Sequence, residues 1–184
     1  MTKHVLLALG ALALAACGQQ TTTAEGPEAP LSQDTAMPQQ AAMTDADFVQ
    51  AAATAGAFEV QSSQLAAERA ELQAVKDFAA RMVTDHTAAN EQLSALAPTL
   101  GLTAPTPQLN SAQQARLDSL RGQSGEAFDD AYLDAQVEAH ENAVNTFEAY
   151  INRSTDGPLR QWAQTTLPTL RQHLTDVRAM ENAT

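Results

Sequence analysis

The chain has 184 residues, enough for one compact domain and an additional segment. It is 44% hydrophobic but only 4% aromatic, carries a formal net charge of -12, and has a single cysteine. So acidic a chain, without a basic run, excludes nucleic acid and anionic lipid headgroups as partners; one cysteine excludes an internal disulfide, a cysteine-rich zinc site and an iron–sulfur cluster.

Residues 1–16 read as a signal peptide: a basic start with Lys3, an apolar run from Val5 to Ala16, and small residues at its end. The run is too short to span a bilayer. Its last residues, Leu14-Ala15-Ala16-Cys17, resemble the lipobox of bacterial lipoproteins. That resemblance implies a diacylglycerol on the Cys17 thiol, cleavage before the cysteine, and acylation of the new amino group. Two or three acyl chains hold a protein durably, where one would not. Gly18, rather than an aspartate, follows Cys17, which resembles the outer-membrane sorting pattern. The expected location is therefore the bacterial cell envelope, on the periplasmic side of the outer membrane in a host with two membranes. Membrane lipid is the one expected partner; the sequence specifies no envelope protein partner. Residues 17–43 continue as a flexible linker, with Pro27, Pro30 and Pro38 and no apolar period. As a coil it would span on the order of 25–30 Å.

From residue 44 to 184 the pattern is helical, as the abundance of alanine and the scarcity of β-branched and aromatic residues favour. Thr44 and Asp47 fit a capping box, so the first helix should start near Asp45 and turn Phe48, Ala52, Ala55, Ser62 and Leu65 inward. The second should bury Val75, Ala79, Met82, Ala89, Leu93 and Leu96 and stop at Pro98 and Gly101. No glycine or proline separates the two. A single helix from 45 to 97 would be about 80 Å long, too long for the rest of the chain to cover. A tight turn is therefore expected near Glu68–Leu72. A long connection follows, with a short helix from about Ala112 to Leu120. The third long helix, from about Glu126 to Asn152, carries Leu133, Val137, His140, Val144, Phe147 and Ile151 on one face. Asp156-Gly157-Pro158 makes a turn. The fourth carries Leu159, Ala163, Leu167, Leu170, His173, Leu174, Val177 and Met180 inward, with Pro168 inside it. Two short hairpins and one long crossover describe an all-α, ferritin-like four-helix bundle.

Four segments carry a resemblance. These are Met82-Val83-Thr84-Asp85-His86, Gly125-Glu126-Ala127-Phe128-Asp129, Glu138-Ala139-His140, and the run from Leu167 to His173. Together they resemble the domain-of-unknown-function family 4142, a ferritin-like group common in bacterial envelopes, over most of the chain. The resemblance implies the fold and no reaction.

Among candidate functional residues the histidines stand out. His4 belongs to the signal peptide, while His86, His140 and His173 fall one to a helix, each on the apolar side. Glu59 holds an apolar position on the first helix. Counting rise along each helix puts all four near mid-bundle. Two readings of the set stand side by side: a transition-metal site of imidazoles and one carboxylate, or a metal-free polar cluster that fixes helix register. Ferritin-type di-iron is disfavoured, because Glu-x-x-His is absent: Val83, Val137 and Leu170 stand three before the histidines. Asp85, Glu138 and Glu141 fall off the inward face, as solvated or outer groups. No catalytic residue is assigned, since no phosphate loop or nucleophile elbow is present. The leading expectation is a non-enzymatic envelope lipoprotein with a structural or interaction module, and the alternative is a metal-binding or redox bundle.

Overall fold

A computed structural model of the protein describes residues 43–183. The signal peptide, Cys17 and the linker up to residue 42 lie outside the described residues. Five helices follow in order: α1 (Asp45–Arg69), α2 (Gln73–Thr99), α3 (Ser111–Arg121), α4 (Glu126–Arg153) and α5 (Pro158–Glu181). No strand occurs among the described residues, so the all-α class stands.

The helix ends follow from local chemistry. At α1 the Asp47 amide donates to Thr44 Oγ1 at 3.1 Å and the Thr44 amide donates to Asp47 Oδ2 at 3.0 Å, the expected capping box. Asn110 and Gln113 build the same box at α3. The turn between α1 and α2 falls at residues 70–72, within the charged stretch Glu68–Leu72 where it was expected. No side chain of its own caps α2. Instead the buried Asp129 reaches across from α4 and accepts from the amides of Glu71 and Leu72, at 3.0 and 2.8 Å. A carboxylate on free amides at a helix start is favoured by both hydrogen bonding and the helix dipole. Gly125, at φ 62°, starts α4 in a backbone region that side chains disfavour. Pro158 opens α5 at a position where its missing N–H costs nothing.

The four long helices pack in the cyclic order α1, α2, α5, α4, and the short α3 leans on α1 and α4. Contacts fix the directions. Asp45 meets Tyr150 and Ser63 meets Tyr132, so α1 and α4 run antiparallel. Arg81 meets Asp176 and Asp85 meets His173, so α2 and α5 do too. With the two short turns, α2 and α4 become parallel and stand on the diagonal, joined by the long connection through α3. Aromatic layers close the bundle along its axis. Phe48 stacks on Tyr150 at 3.9 Å and meets Phe147 edge-on toward one end. Phe78 and Phe128 pack around Tyr132 toward the other. The buried face of α1 is wider than its expected series, because it touches three helices; Ala55 and Leu65 sit half-buried on its border. Gly56 brings α1 close to α2: a Cβ there would stand 2.3 Å from the end of the Asn90 side chain, which would have to move.

Candidate metal centre

Between the aromatic layers the structure brings together all four residues expected from the sequence. Glu59 comes from α1, His86 from α2, His140 from α4 and His173 from α5, and all are buried. The three imidazoles form a near-equilateral triangle, with ring centroids 5.4 Å apart for His86–His140, 5.3 Å for His86–His173 and 5.4 Å for His140–His173. One nitrogen of each ring lies within 4.8 Å of the other two.

Each ring is held by one nitrogen only. His86 Nδ1 lies 2.8 Å from Glu59 Oε2, His140 Nδ1 lies 2.9 Å from the Gln136 carbonyl oxygen, and His173 Nε2 lies 2.9 Å from Asp85 Oδ2. All three partners are acceptors, so each of these nitrogens carries its hydrogen. The other nitrogens, His86 Nε2, His140 Nε2 and His173 Nδ1, are buried without a hydrogen-bond partner. Their lone pairs are therefore free to bind an electrophile. Glu59 Oε1 is likewise unpartnered, 3.8 Å from His140 Nδ1.

The electrostatics divide the set. Burial pushes the Glu59 carboxyl up, but the charge of His86 and His140 and the His86 hydrogen bond outweigh it and hold the carboxyl below its ordinary value. Burial likewise pulls His86 down, and the Glu59 charge and hydrogen bond more than reverse it, so His86 titrates above its ordinary value. His140 is lowered by burial, against the pull of Glu59. His173 is lowered to about 4 by burial and by the neighbouring His86 charge, against the hydrogen bond it donates to Asp85. The Glu59 carboxylate thus favours the charged form of His86, while burial favours the neutral forms of His140 and His173.

Several neighbours did not stand out in the sequence. Asp85 shares its helix with His86 but points to α5, where it holds His173; only knowledge of the facing helix identifies that role. Gln136 is fully buried one turn before His140, and its side-chain amide donates to Ser62 Oγ at 2.9 Å. Its place on the face of Leu133 and His140 could have marked it. Ser63 and Tyr132 hydrogen-bond at 2.8 Å, and burial raises the tyrosine's pKa far above its ordinary value. Glu138 and Glu141 lie at the surface as expected, Glu141 pairing with Arg178.

The family model described as "Domain of unknown function (DUF4142)" matches residues 30–180. The chain belongs to this family. No curated protein matches the chain. Among solved structures the fold of this DUF4142 domain is similar to a DUF305 fragment from Deinococcus radiodurans, at 15% identity and a TM-score of 0.67, covering 76% of this chain and 95% of that one. It is also similar to a putative secreted DUF305 protein from Streptomyces coelicolor, at 13% identity and a TM-score of 0.62, covering 72% and 88%. At these identities the likeness concerns the fold alone. Three of the four segments that carried the sequence resemblance contain a histidine of the cluster, and the fourth contains Asp129.

Proposed function

We propose that this DUF4142 domain is a metal-binding module that holds one transition-metal ion through His86 Nε2, His140 Nε2 and His173 Nδ1. The observation that carries the reading is the division of labour within each ring: one nitrogen is pinned by an acceptor while the other is buried and unpartnered among its fellows. Metal-ligating histidines are oriented in this way by carboxylates and carbonyls. A purely structural polar cluster would be expected to satisfy those nitrogens, since an unmet buried polar group costs about 1–3 kcal/mol. Three neutral imidazole donors suit zinc, copper, nickel or cobalt ions. On a tetrahedral ion at about 2.05 Å the donors would stand about 3.3 Å apart, so a contraction on the order of 1 Å is needed. Glu59, bonded to the ring nitrogen of His86 that carries hydrogen, orients that ring and supplies a compensating charge. The geometry thus favours the alternative reading of the sequence over a purely structural module. None of the three imidazoles lines the cleft between α1, α3 and α4.

The second element of the reading is its location: a lipoprotein of the bacterial envelope, anchored through acylated Cys17. The lipobox-like Leu14-Ala15-Ala16-Cys17 supports this, and the fold neighbour from Streptomyces is named as secreted. No helix among the described residues is long and apolar enough to cross a membrane. The ferritin-like placement of the bundle, resting on the crossover topology, belongs to the same proposal.

Untagged protein incubated with Co2+, Zn2+ or Cu2+ and then desalted should retain about one equivalent of metal and melt higher, by about 2.7 kcal/mol of added stability at a hundredfold excess over Kd. Less than about 0.1 equivalent of any of these ions, with no thermal shift, would refute the reading. For the anchor, Cys17→Ser should abolish acyl labelling and release the protein from the membrane fraction.

A further inference from the structure

We infer that metal reaches the histidines through the seam between α2 and α5, with Asp85 as the first carboxylate it meets and the Arg81–Asp176 ion pair as a latch across that seam. The inference rests on the metal-binding reading above.

The axial approaches and the seam between α1 and α4 are closed by buried groups. Along the axis stand the Phe48–Tyr150 stack and Phe147 on one side, and Phe78, Phe128 and Tyr132 on the other. Between α1 and α2, Gly56 lies directly against Asn90. Between α1 and α4, Ser62 is bonded to Gln136 and Ser63 to Tyr132, all four buried. The seam between α4 and α5 carries the exposed pairs Arg171–Glu148 and Arg178–Glu141, and neither pair bonds a ring of the cluster.

The α2–α5 seam differs. Asp85 hydrogen-bonds His173 directly, yet its side chain is 37% exposed, against 3% for His173, 6% for His86 and 2% for Glu59. Of the three residues that hydrogen-bond the rings, Glu59 and Gln136 are buried and Asp85 reaches solvent. One turn before it, Arg81 crosses the seam to Asp176 at 2.7 Å, with 44% and 28% of the two side chains exposed. The Arg81 guanidinium also lies over the Phe78 ring at 5.4 Å, and Phe78 meets the His173 ring edge-on at 6.5 Å. Arg81 therefore holds down both the seam and the ring that buttresses His173. A partly exposed ion pair is worth about 0.2–1 kcal/mol. It can be broken by ordinary local motion, unlike the buried layers elsewhere. An arriving cation is drawn to the Asp85 carboxylate and passes from it to His173 Nδ1, while His173 Nε2 keeps its hydrogen bond to Asp85.

The test is the rate of Co2+ uptake by the full chain, followed by the visible absorption of the bound ion, and the rate of its removal by excess chelator. Arg81→Ala should speed both uptake and release by roughly three- to fivefold with Kd unchanged, because it opens the passage without altering the ligands. Asp85→Asn should slow association by about tenfold through lost attraction of the cation. Arg178→Ala, on the α4–α5 seam, should leave both rates as in the wild type. Unaltered rates in Arg81→Ala, equal acceleration in Arg178→Ala, or an Asp85→Asn defect confined to release would overturn the seam while leaving the metal site intact. Failure of the wild type to take up any Co2+, Zn2+ or Cu2+ would overturn the site itself. Melting curves of each variant without metal establish that it is folded.

Discussion

Two fully buried carboxylates, Asp129 and Glu59, sit on neighbouring helices of the bundle and have opposite surroundings. Asp129 accepts from the amides of Glu71 and Leu72 with both oxygens, and its partners are backbone groups at the start of α2. Glu59 accepts on one oxygen from one imidazole, keeps the other unpartnered, and faces three rings whose own free nitrogens also lack partners. Burial alone therefore says little about a charged group's role. Saturation of its partners distinguishes a carboxylate that builds the fold from one that serves a site.

The sharpest way to break this contrast is to remove Asp129. Asp129→Ala leaves the amides of Glu71 and Leu72, in the turn before α2, without their acceptor, and should destabilise the protein by about 1–3 kcal/mol. Denaturant unfolding measures the loss. Metal content per folded molecule should not change. A variant that keeps its stability but loses metal would reverse the assignment of the two carboxylates.

Acid separates them next. In the metal-free protein His140 and His173 have lowered pKa values, so the stability each contributes is complete above the unfolded value near 6.5 and is lost as pH falls, for His173 down to about 4. His86 is raised and works the other way: its contribution is complete below 6.5 and fades as pH rises through its folded value. Glu59, lowered, adds stability above its ordinary value near 4.5 that disappears below it. His86 adds no slope below 6.5, so the two lowered histidines leave a net fall between pH 6.5 and 4, at most about 1.4 kcal/mol per pH unit for each. Unfolding free energies over this range give the slope.

Parts of this contrast were legible in the sequence, and others were not. The phase of His86, His140 and His173 within apolar series placed them inward, and helix rise placed them at one depth with Glu59. Both deductions hold because periodicity reports which face of a helix is buried. The turn at residues 70–72 followed from length and from the charged stretch, yet what stabilises it did not: Asp129 lies more than fifty residues away, and no local pattern links a side chain to a distant amide. Asp85 was legible only as a residue off the inward face. It lies at the edge between two faces, and its partner is fixed by which helix packs there. The same is true of Gln136 with Ser62. One helix's period gives direction, and only the packing of two supplies the partner.

His140→Leu examines the cluster from its most buried member. If the cluster serves metal rather than folding, exchanging one neutral buried imidazole for an aliphatic side chain should leave metal-free stability unchanged or raise it by about 1 kcal/mol. The metal-dependent rise in melting temperature should disappear altogether. A loss of several kcal/mol without metal would make His140 a structural residue of the Asp129 kind.

Glu59→Gln is the finest of these tests, because it changes charge while keeping size and an acceptor for His86 Nδ1. The metal-free protein should lose less than about 1 kcal/mol near neutral pH, since the amide oxygen still receives the imidazole hydrogen. Its acid profile should steepen between pH 6.5 and 4, because His86 no longer has the charge that raised it and joins His140 and His173 as a ring that resists protonation. Metal affinity should fall about 10–100-fold, the usual cost of losing a group that orients a ligand. Affinity and stability thus move separately at Glu59, whereas at Asp129 only stability moves. Were Glu59→Gln to lose stability as Asp129→Ala does while binding metal as tightly as the wild type, the two carboxylates would be doing one job, and the unpartnered imidazole nitrogens would need another explanation.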